Sequence, residues 1–135
     1  KPGHLILNQK NGLIHLIDFE LAIKRGGIIK GISKEYASPE QLQMLNYLKD
    51  LPRKVHYEAI LSTIRLDGRT DLYSIGLILY QILTKRLWEK EKIPPSQLNK
   101  QISPKLEGIM KGLLEVNVAQ RIQSAEELKN ALSSI

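Results

Sequence analysis

The chain has 135 residues, a formal net charge of +6 and no cysteine, with 42% hydrophobic and 25% charged residues. This is the composition of one ordinary globular domain, long enough to bury roughly two thirds of its unfolded surface. It excludes a disulfide framework, a cysteine-based zinc cluster and a thiol nucleophile, and no apolar run approaches the roughly 18 residues of a membrane helix. The lack of cysteine fits a reducing compartment, so a cytoplasmic location is expected. No signal peptide or lipidation motif opens the chain. The first residue is Lys1 rather than Met, so the chain reads as processed, excised or begun at its first ordered residue, and sequence missing upstream is an open reading. The cations are spread out, with small clusters at Lys24-Arg25, Arg53-Lys54 and Lys85-Arg86, and Phe and Trp occur once each. Nucleic-acid binding would use basic residues interleaved with stacking aromatics. Their absence favours a solvated, lysine-rich surface.

In chain order, "HLIL" at 4–7 and "LIHLI" at 13–17 are short apolar runs joined by "NQKNG". Asn11-Gly12 is a turn signal, since both residues tolerate positive φ. A β-hairpin is expected, with Asp18 at its exit and His15 as an exposed alternate residue. Residues 24–35 hold three glycines and several charges and read as loop. Ser38-Pro39-Glu40-Gln41 predicts a helix start: serine caps, proline fits the first turn, and Gln41 completes a capping box. Pro52 breaks the stretch 46–66, where one short helix is expected at about 56–64. Asp67-Gly68 reads as a turn. "TDLYSIGLILYQILT" at 70–84 is apolar nearly all round, which predicts a helix buried at the centre of the domain, with Tyr73 and Tyr80 in the core. Pro94-Pro95 reads as loop. Ser103-Pro104 opens a helix to about Leu114, and Ser124 with Glu127 is a second capping box for a final helix through "AEELKNALSSI".

Asp18 closes an apolar run, and a carboxylate in that position is costly unless it is paired, caps something or holds a cation. Capping residue and metal ligand are both open readings of it. Glu20 reads as a solvated carboxylate or one paired with Lys24, Arg25 or Lys1. His4 reads as a packed or solvent-facing histidine, or as a ligand.

The segments "KPGHLIL", "IHLIDFELA", "SKEYASPEQL", "DGRTDLYSIGLILYQILT" and "LLEVNVAQRIQSAEELKNAL" occur in this order. Together they resemble the C-terminal lobe of protein kinases, above all the bacterial serine/threonine kinases. The likeness runs from Lys1 to about Leu132 and is interrupted at 46–66 and 86–100. It implies a mainly α (α+β) fold: a helical C-lobe over 1–135 with a short β-hairpin near the N-terminus, an insertion at about 46–66 and no N-lobe in this chain.

The resemblance also implies roles. Asp18-Phe19 stands at the Asp-Phe-Gly motif, whose aspartate holds Mg²⁺ on the ATP phosphates. Lys1-Pro2 matches the catalytic loop, His-Arg-Asp-x-Lys-Pro-x-Asn, with His4 in place of the second metal ligand. Ser33 falls where a threonine contacts the catalytic aspartate. Glu40 matches the Ala-Pro-Glu glutamate and Arg121 its arginine partner, an expected structural ion pair. Asp71 matches the aspartate that holds the catalytic-loop backbone.

Three departures accompany these matches. The catalytic base, the Gly-rich loop and the strand lysine would precede Lys1. His4 and Glu20 replace the asparagine and the glycine of the family pattern. No Ser, Thr or Tyr precedes Ser33, which excludes a phosphorylation switch between Asp18 and Ser33.

The implied function is a truncated or degenerate, pseudokinase-like module. It would be inactive alone, need no cofactor, and act through a protein partner, a missing N-lobe or a second copy. The alternative is the C-lobe of an active, Mg-ATP-dependent serine/threonine kinase whose N-terminal part lies outside the chain. A basic, helical nucleic-acid-binding domain is the third reading.

Overall fold

A computed structural model describes residues 1–50 and 63–135. A 3₁₀ turn, Pro2–His4, leads into β1 (Leu5–Leu7), which pairs antiparallel with β2 (Ile14–Leu16) in the register Leu5↔Leu16, Ile6↔His15 and Leu7↔Ile14. A second 3₁₀ turn, Lys34–Tyr36, precedes α1 (Pro39–Asp50). Then follow α2 (Gly68–Thr84), α3 (Trp88–Glu91), α4 (Pro95–Leu98), α5 (Pro104–Leu113) and α6 (Ala125–Leu132). The fold is therefore mostly helical with a two-stranded hairpin, as the sequence implied. The helix expected at 56–64 falls mainly on 51–62, outside the described residues.

The hairpin's connection is longer than a two-residue turn. Asn8 N–H donates to Leu13 O, and Gly12 N–H donates to Asn8 O, each at 2.8 Å. The Asn8 and Asn11 side chains accept from the amides of Lys10 and Leu13, both at 3.0 Å. Gly12 takes φ +71° while Asn11 keeps a negative φ. Asn11 thus turns the chain through its side chain rather than through left-handed backbone, as short polar side chains can.

Both helix starts are capped by their serines, but only Ser38 with Gln41 closes a reciprocal box, since Glu127 Oε2 accepts from Gln123 N–H at 2.8 Å. Ser38 Oγ accepts from Gln41 N–H at 3.3 Å, and Gln41 Oε1 accepts from Ser38 N–H at 3.0 Å. Ser124 Oγ accepts from Glu127 N–H at 3.0 Å, and the helix it opens stops at Leu132. Asp67-Gly68 is the start of α2 rather than a separate turn. Asp67 caps that helix by accepting from Arg69 N–H at 3.0 Å, and it holds the Arg69 guanidinium at 2.7 Å. Pro95 likewise begins a short helix instead of continuing a loop.

Those Arg69 hydrogen bonds hold the Asp67 carboxyl at about 2, below the ordinary aspartate value near 3.9. A carboxyl lowered in the folded state stabilises above its unfolded pKa, and that contribution is lost as pH falls through the folded value. Stability should therefore decline between about pH 4 and pH 2 in part through Asp67. Asp67→Asn should flatten that limb in acid-unfolding curves; an unchanged limb would mean that the cap carries no such linkage.

α2 is the central helix, and α5 crosses it at Gly76. A Cβ at Gly76 would lie 2.9 Å from Leu113 Cβ and 3.0 Å from Leu114 Cδ2. Three apolar clusters form the core, two of them built on α2. Leu72 packs with Ile109, Leu113 and Leu128; Tyr73 and Leu77 with Leu114 and Trp88; and Met44 with Ile29, Ile64 and Leu66. Tyr80 is fully buried, meets Trp88 edge-on at 5.2 Å, and donates to Ile93 O at 3.0 Å. The helix is not buried all round, however. Asp71, Ile75 and Ile82 are exposed and lie four and seven residues apart, which is the spacing of a single helical stripe. Composition alone could not separate the uncovered Ile75 and Ile82 from the packed face, because both are apolar.

Candidate functional site

The open end of the hairpin meets the loop that leads to α1. His4 ends the first 3₁₀ turn, where its N–H donates to Lys1 O at 2.9 Å. Its carbonyl accepts from Ile17 N–H at 2.9 Å and so continues the hairpin ladder by one step. Asp18 follows at φ +65°, a left-handed conformation that an aspartate tolerates better than most residues. The result brings His4 Nε2 to 3.0 Å from Asp18 Oδ2, with the Asp18 side chain 43% exposed.

This pair opens into a cleft of about 230 Å³ that also touches Lys1, Leu21, Ser33, Tyr36 and Ser74. Tyr36 fixes the far wall. Its hydroxyl donates to Gln81 Oε1 at 2.6 Å, and its carbonyl accepts from Ser74 Oγ at 2.7 Å, both on α2. Four of the residues singled out in the sequence, Lys1, His4, Asp18 and Ser33, therefore share one cleft. Tyr36 and Ser74 line it too, although nothing in their local spacing marks them as cleft residues, and Gln41, which the sequence marks only as a cap partner, joins them. Asp71 is exposed in the first turn of α2 and, among the described residues, makes no hydrogen bond to the 1–4 segment. Glu20 is also exposed and, among the described residues, has no salt-bridge partner; Arg25 faces Asp67 instead, at 3.9 Å.

Glu40 and Arg121 meet away from the cleft, across 81 residues of chain. Arg121 is 1% exposed and Glu40 8%. Arg121 Nη1 donates to Glu40 Oε1 at 2.8 Å and Nη2 to Oε2 at 3.1 Å, a bidentate fork. The remaining guanidinium donors reach Glu115 O at 2.9 Å and Arg69 O at 2.7 Å, and the group lies 4.9 Å over the Tyr73 ring. Thr70 Oγ1 adds a donor to Glu40 Oε1 at 3.0 Å. Burial pushes the Glu40 carboxyl up, but the Arg121 and Thr70 hydrogen bonds pull it further down, to a net value below the usual range. Burial, with Glu89 alongside, pushes the Tyr73 phenol up.

The family resemblance implies Mg²⁺ at Asp18, and the donors present can be tested against it. Mg²⁺ takes oxygen ligands in near-ideal octahedral geometry. The hairpin mouth supplies one carboxylate and one imidazole, already in contact. Among the described residues, no group of three or more His, Asp or Glu forms. This donor set does not fit Mg²⁺.

A hairpin closed by Asp18, followed by a capped helix, a central helix and a buried Glu–Arg pair, makes a protein-kinase C-lobe-like arrangement, and the chain's homologues are bacterial serine/threonine protein kinases. Serine/threonine-protein kinase pkn3 of Myxococcus xanthus is 31% identical over 166 residues, matching 100% of this chain and 26% of the relative. Pkn1 of the same organism is 30% identical over 157 residues, covering 98% and 20%. PksC of Streptomyces coelicolor is 26% identical over 153 residues, covering 96% and 24%. The chain thus spans about a quarter or less of the length of these relatives. No protein-family model matches it. No helix among the described residues is long and apolar enough to cross a membrane.

Proposed function

We propose that this chain is a degenerate kinase C-lobe that transfers no phosphate by itself and works as an interaction or regulatory module. The observation that carries this reading is the His4–Asp18 contact. The carboxylate that would hold a metal on ATP is instead engaged by an imidazole at 3.0 Å. Phosphoryl transfer depends almost wholly on positioning and on charge stabilisation by metal ions and cations. Here the metal-holding donors are mismatched, and Glu20 adds a carboxylate two residues from Asp18. The cleft, at about 230 Å³, is smaller than the roughly 300–1,000 Å³ pockets that enclose drug-sized ligands.

The interaction role rests on surface chemistry. Ile6, Leu7, Ile14 and Leu16 are all exposed, so neither face of the hairpin is covered within the described residues. An isolated two-stranded hairpin is marginal in water, and contiguous apolar surface of this kind marks a contact face. The occupant under this reading is a protein: a separate partner, an N-lobe, or a second copy.

A second reading has its own support, since the relatives carry the printed description of serine/threonine-protein kinases and extend well beyond this chain. It makes the chain the C-lobe of an active, ATP-dependent kinase. Calorimetric titration with Mg-ATP and phosphate transfer to a generic basic protein distinguish the two. The expected result is no binding in the low-micromolar range, which corresponds to about −8 kcal/mol, and no label transfer above an Asp18→Ala control. Low-micromolar binding, or Asp18-dependent transfer, would favour the active-kinase reading instead.

A further inference from the structure

We infer that the outer edge of β2 is a self-pairing surface, along which two copies of this chain join antiparallel at Ile14–Leu16 into a four-stranded sheet ordered β1-β2-β2-β1. This rests on the reading of the chain as an interaction module and names its partner as a second copy.

The first support is the direction of the backbone groups. Ile17 N–H donates to His4 O and Asn8 N–H donates to Leu13 O, and Ile6 stands opposite His15. In an antiparallel pair, residues that bond across the ladder alternate with residues whose N–H and C=O point away from it. His15 therefore faces β1, while Ile14 and Leu16 turn their amides and carbonyls outward. Among the described residues, none of these four groups has a hydrogen-bond partner. Natural sheets blunt such an edge with lysine, proline, a bulge or a covering element. The register of β2 is continuous, its residues are Ile, His and Leu, and all three are exposed. The β1 edge differs, because Leu5 N–H donates to Pro2 O. Pairing on β2 alone closes as a twofold dimer instead of extending into a fibre.

The second support is self-complementarity. A twofold axis at His15 sets Ile14 opposite Leu16 of the second copy, and Leu16 opposite its Ile14, each pair exchanging two backbone hydrogen bonds. Leu13 then faces Ile17 of the second copy on the other side of the sheet. No charge falls within residues 13–17, although the chain as a whole carries +6. The same axis carries the hairpin tip, with Lys10, toward the second copy's strand exit, with Asp18 and Glu20. Lys10 and Glu20 are exposed and, among the described residues, form no ion pair.

The third support is the instability of the hairpin alone. Two strands are marginal in water, whereas three or more with an apolar face can hold. Ile14 is 65% and Leu16 55% exposed, and edge pairing covers part of both. Because β2 has only 3 residues, the interface belongs to the small class below about 1,200 Å², and the dimer is a weak one in the micromolar range.

Analytical ultracentrifugation of the chain across a micromolar concentration series tests this, at about pH 8, where an imidazole is ordinarily neutral. The expected result is a reversible monomer–dimer equilibrium. Leu16→Pro deletes an outward N–H and spares the ladder with β1. It should weaken dimerisation by at least about tenfold, since twofold symmetry removes two hydrogen bonds per dimer. Leu16→Ala keeps the N–H and should cost less. His15→Lys sets two ammonium groups opposite each other at the axis, about 4.5 Å apart at Cα. It should weaken the dimer at low salt and recover in part as salt is added, while His15→Thr should dimerise like wild type. Far-UV circular dichroism checks that each variant folds. If Leu16→Pro does not, the salt-reversible loss in His15→Lys decides.

A wild type that stays monomeric throughout the series overturns the inference. So do folded Leu16→Pro and His15→Lys variants that dimerise as wild type does, or an edge that binds a different chain while this one stays monomeric. Those results are separate from failure of the functional reading, which would appear as tight Mg-ATP binding or Asp18-dependent phosphate transfer.

Discussion

Arg121→Ala is expected to destabilise this chain by about 3–5 kcal/mol, the usual cost of breaking a buried ion pair from one side. The substitution leaves the Glu40 carboxylate buried and unmatched, and it removes the donors that satisfy Glu115 O and Arg69 O. It also uncouples three parts of the chain, since the guanidinium joins the first turn of α1, the start of α2 and the segment before α6. Arg121→Lys should recover little, because an ammonium lacks the planar fork that serves both Glu40 oxygens and two carbonyls. Removing both charges, as in Glu40→Leu with Arg121→Met, should cost clearly less than Arg121→Ala alone, since no unpaired charge is left behind. Urea unfolding of the three variants decides the matter. A loss below about 1 kcal/mol for Arg121→Ala, typical of an exposed pair, would show that the pair is not the tie that its geometry indicates. Because Glu40 titrates below its ordinary value in the folded state, its contribution should be full above the unfolded glutamate pKa and fall away as pH drops through the folded one.

Gly76→Ala should destabilise by about 1–3 kcal/mol through overpacking. Intrinsic propensity alone predicts the opposite sign, since alanine in a helix interior is favoured over glycine by about 1 kcal/mol. The reason for the reversal is the close crossing of α2 and α5. The added methyl would sit 2.9 Å from Leu113 Cβ, an atom fixed to the backbone that no rotamer change can move aside. Gly108 supplies the control. It lies inside α5 with nothing within 4 Å of its added Cβ, so Gly108→Ala should stabilise by up to about 1 kcal/mol. If thermal unfolding shows both substitutions stabilising, the helices do not approach as closely as described.

Much of the local structure was legible in the residues because local rules govern it. Both caps are local, a reciprocal exchange between Ser38 and Gln41 and a one-way bond from Glu127 N–H to Ser124 Oγ, so they identify helix starts without reference to anything distant. The hairpin was legible from two apolar runs around Asn11-Gly12. Its six-residue connection was not, because Asn8 and Asn11 make side-chain turns that a dipeptide signal does not reveal. In the sequence Asp67 reads as a turn residue, because caps and turns favour the same side chains. Only the following Arg69 interactions separate the two.

The sequence by itself determined the helical class, the helix starts and, through five ordered motifs, the kinase C-lobe resemblance. These are set by short-range hydrogen bonding, periodicity and residue order. Tertiary structure alone decided which side of the apolar α2 is covered, since Leu72 and Ile75 are both aliphatic and only the approach of other segments buries the first and leaves the second exposed. It also decided that His4 and Asp18, 14 residues apart in the chain, stand 3.0 Å apart in space. That distance depends on strand register and on one left-handed backbone angle, and neither is encoded in the identity of either residue.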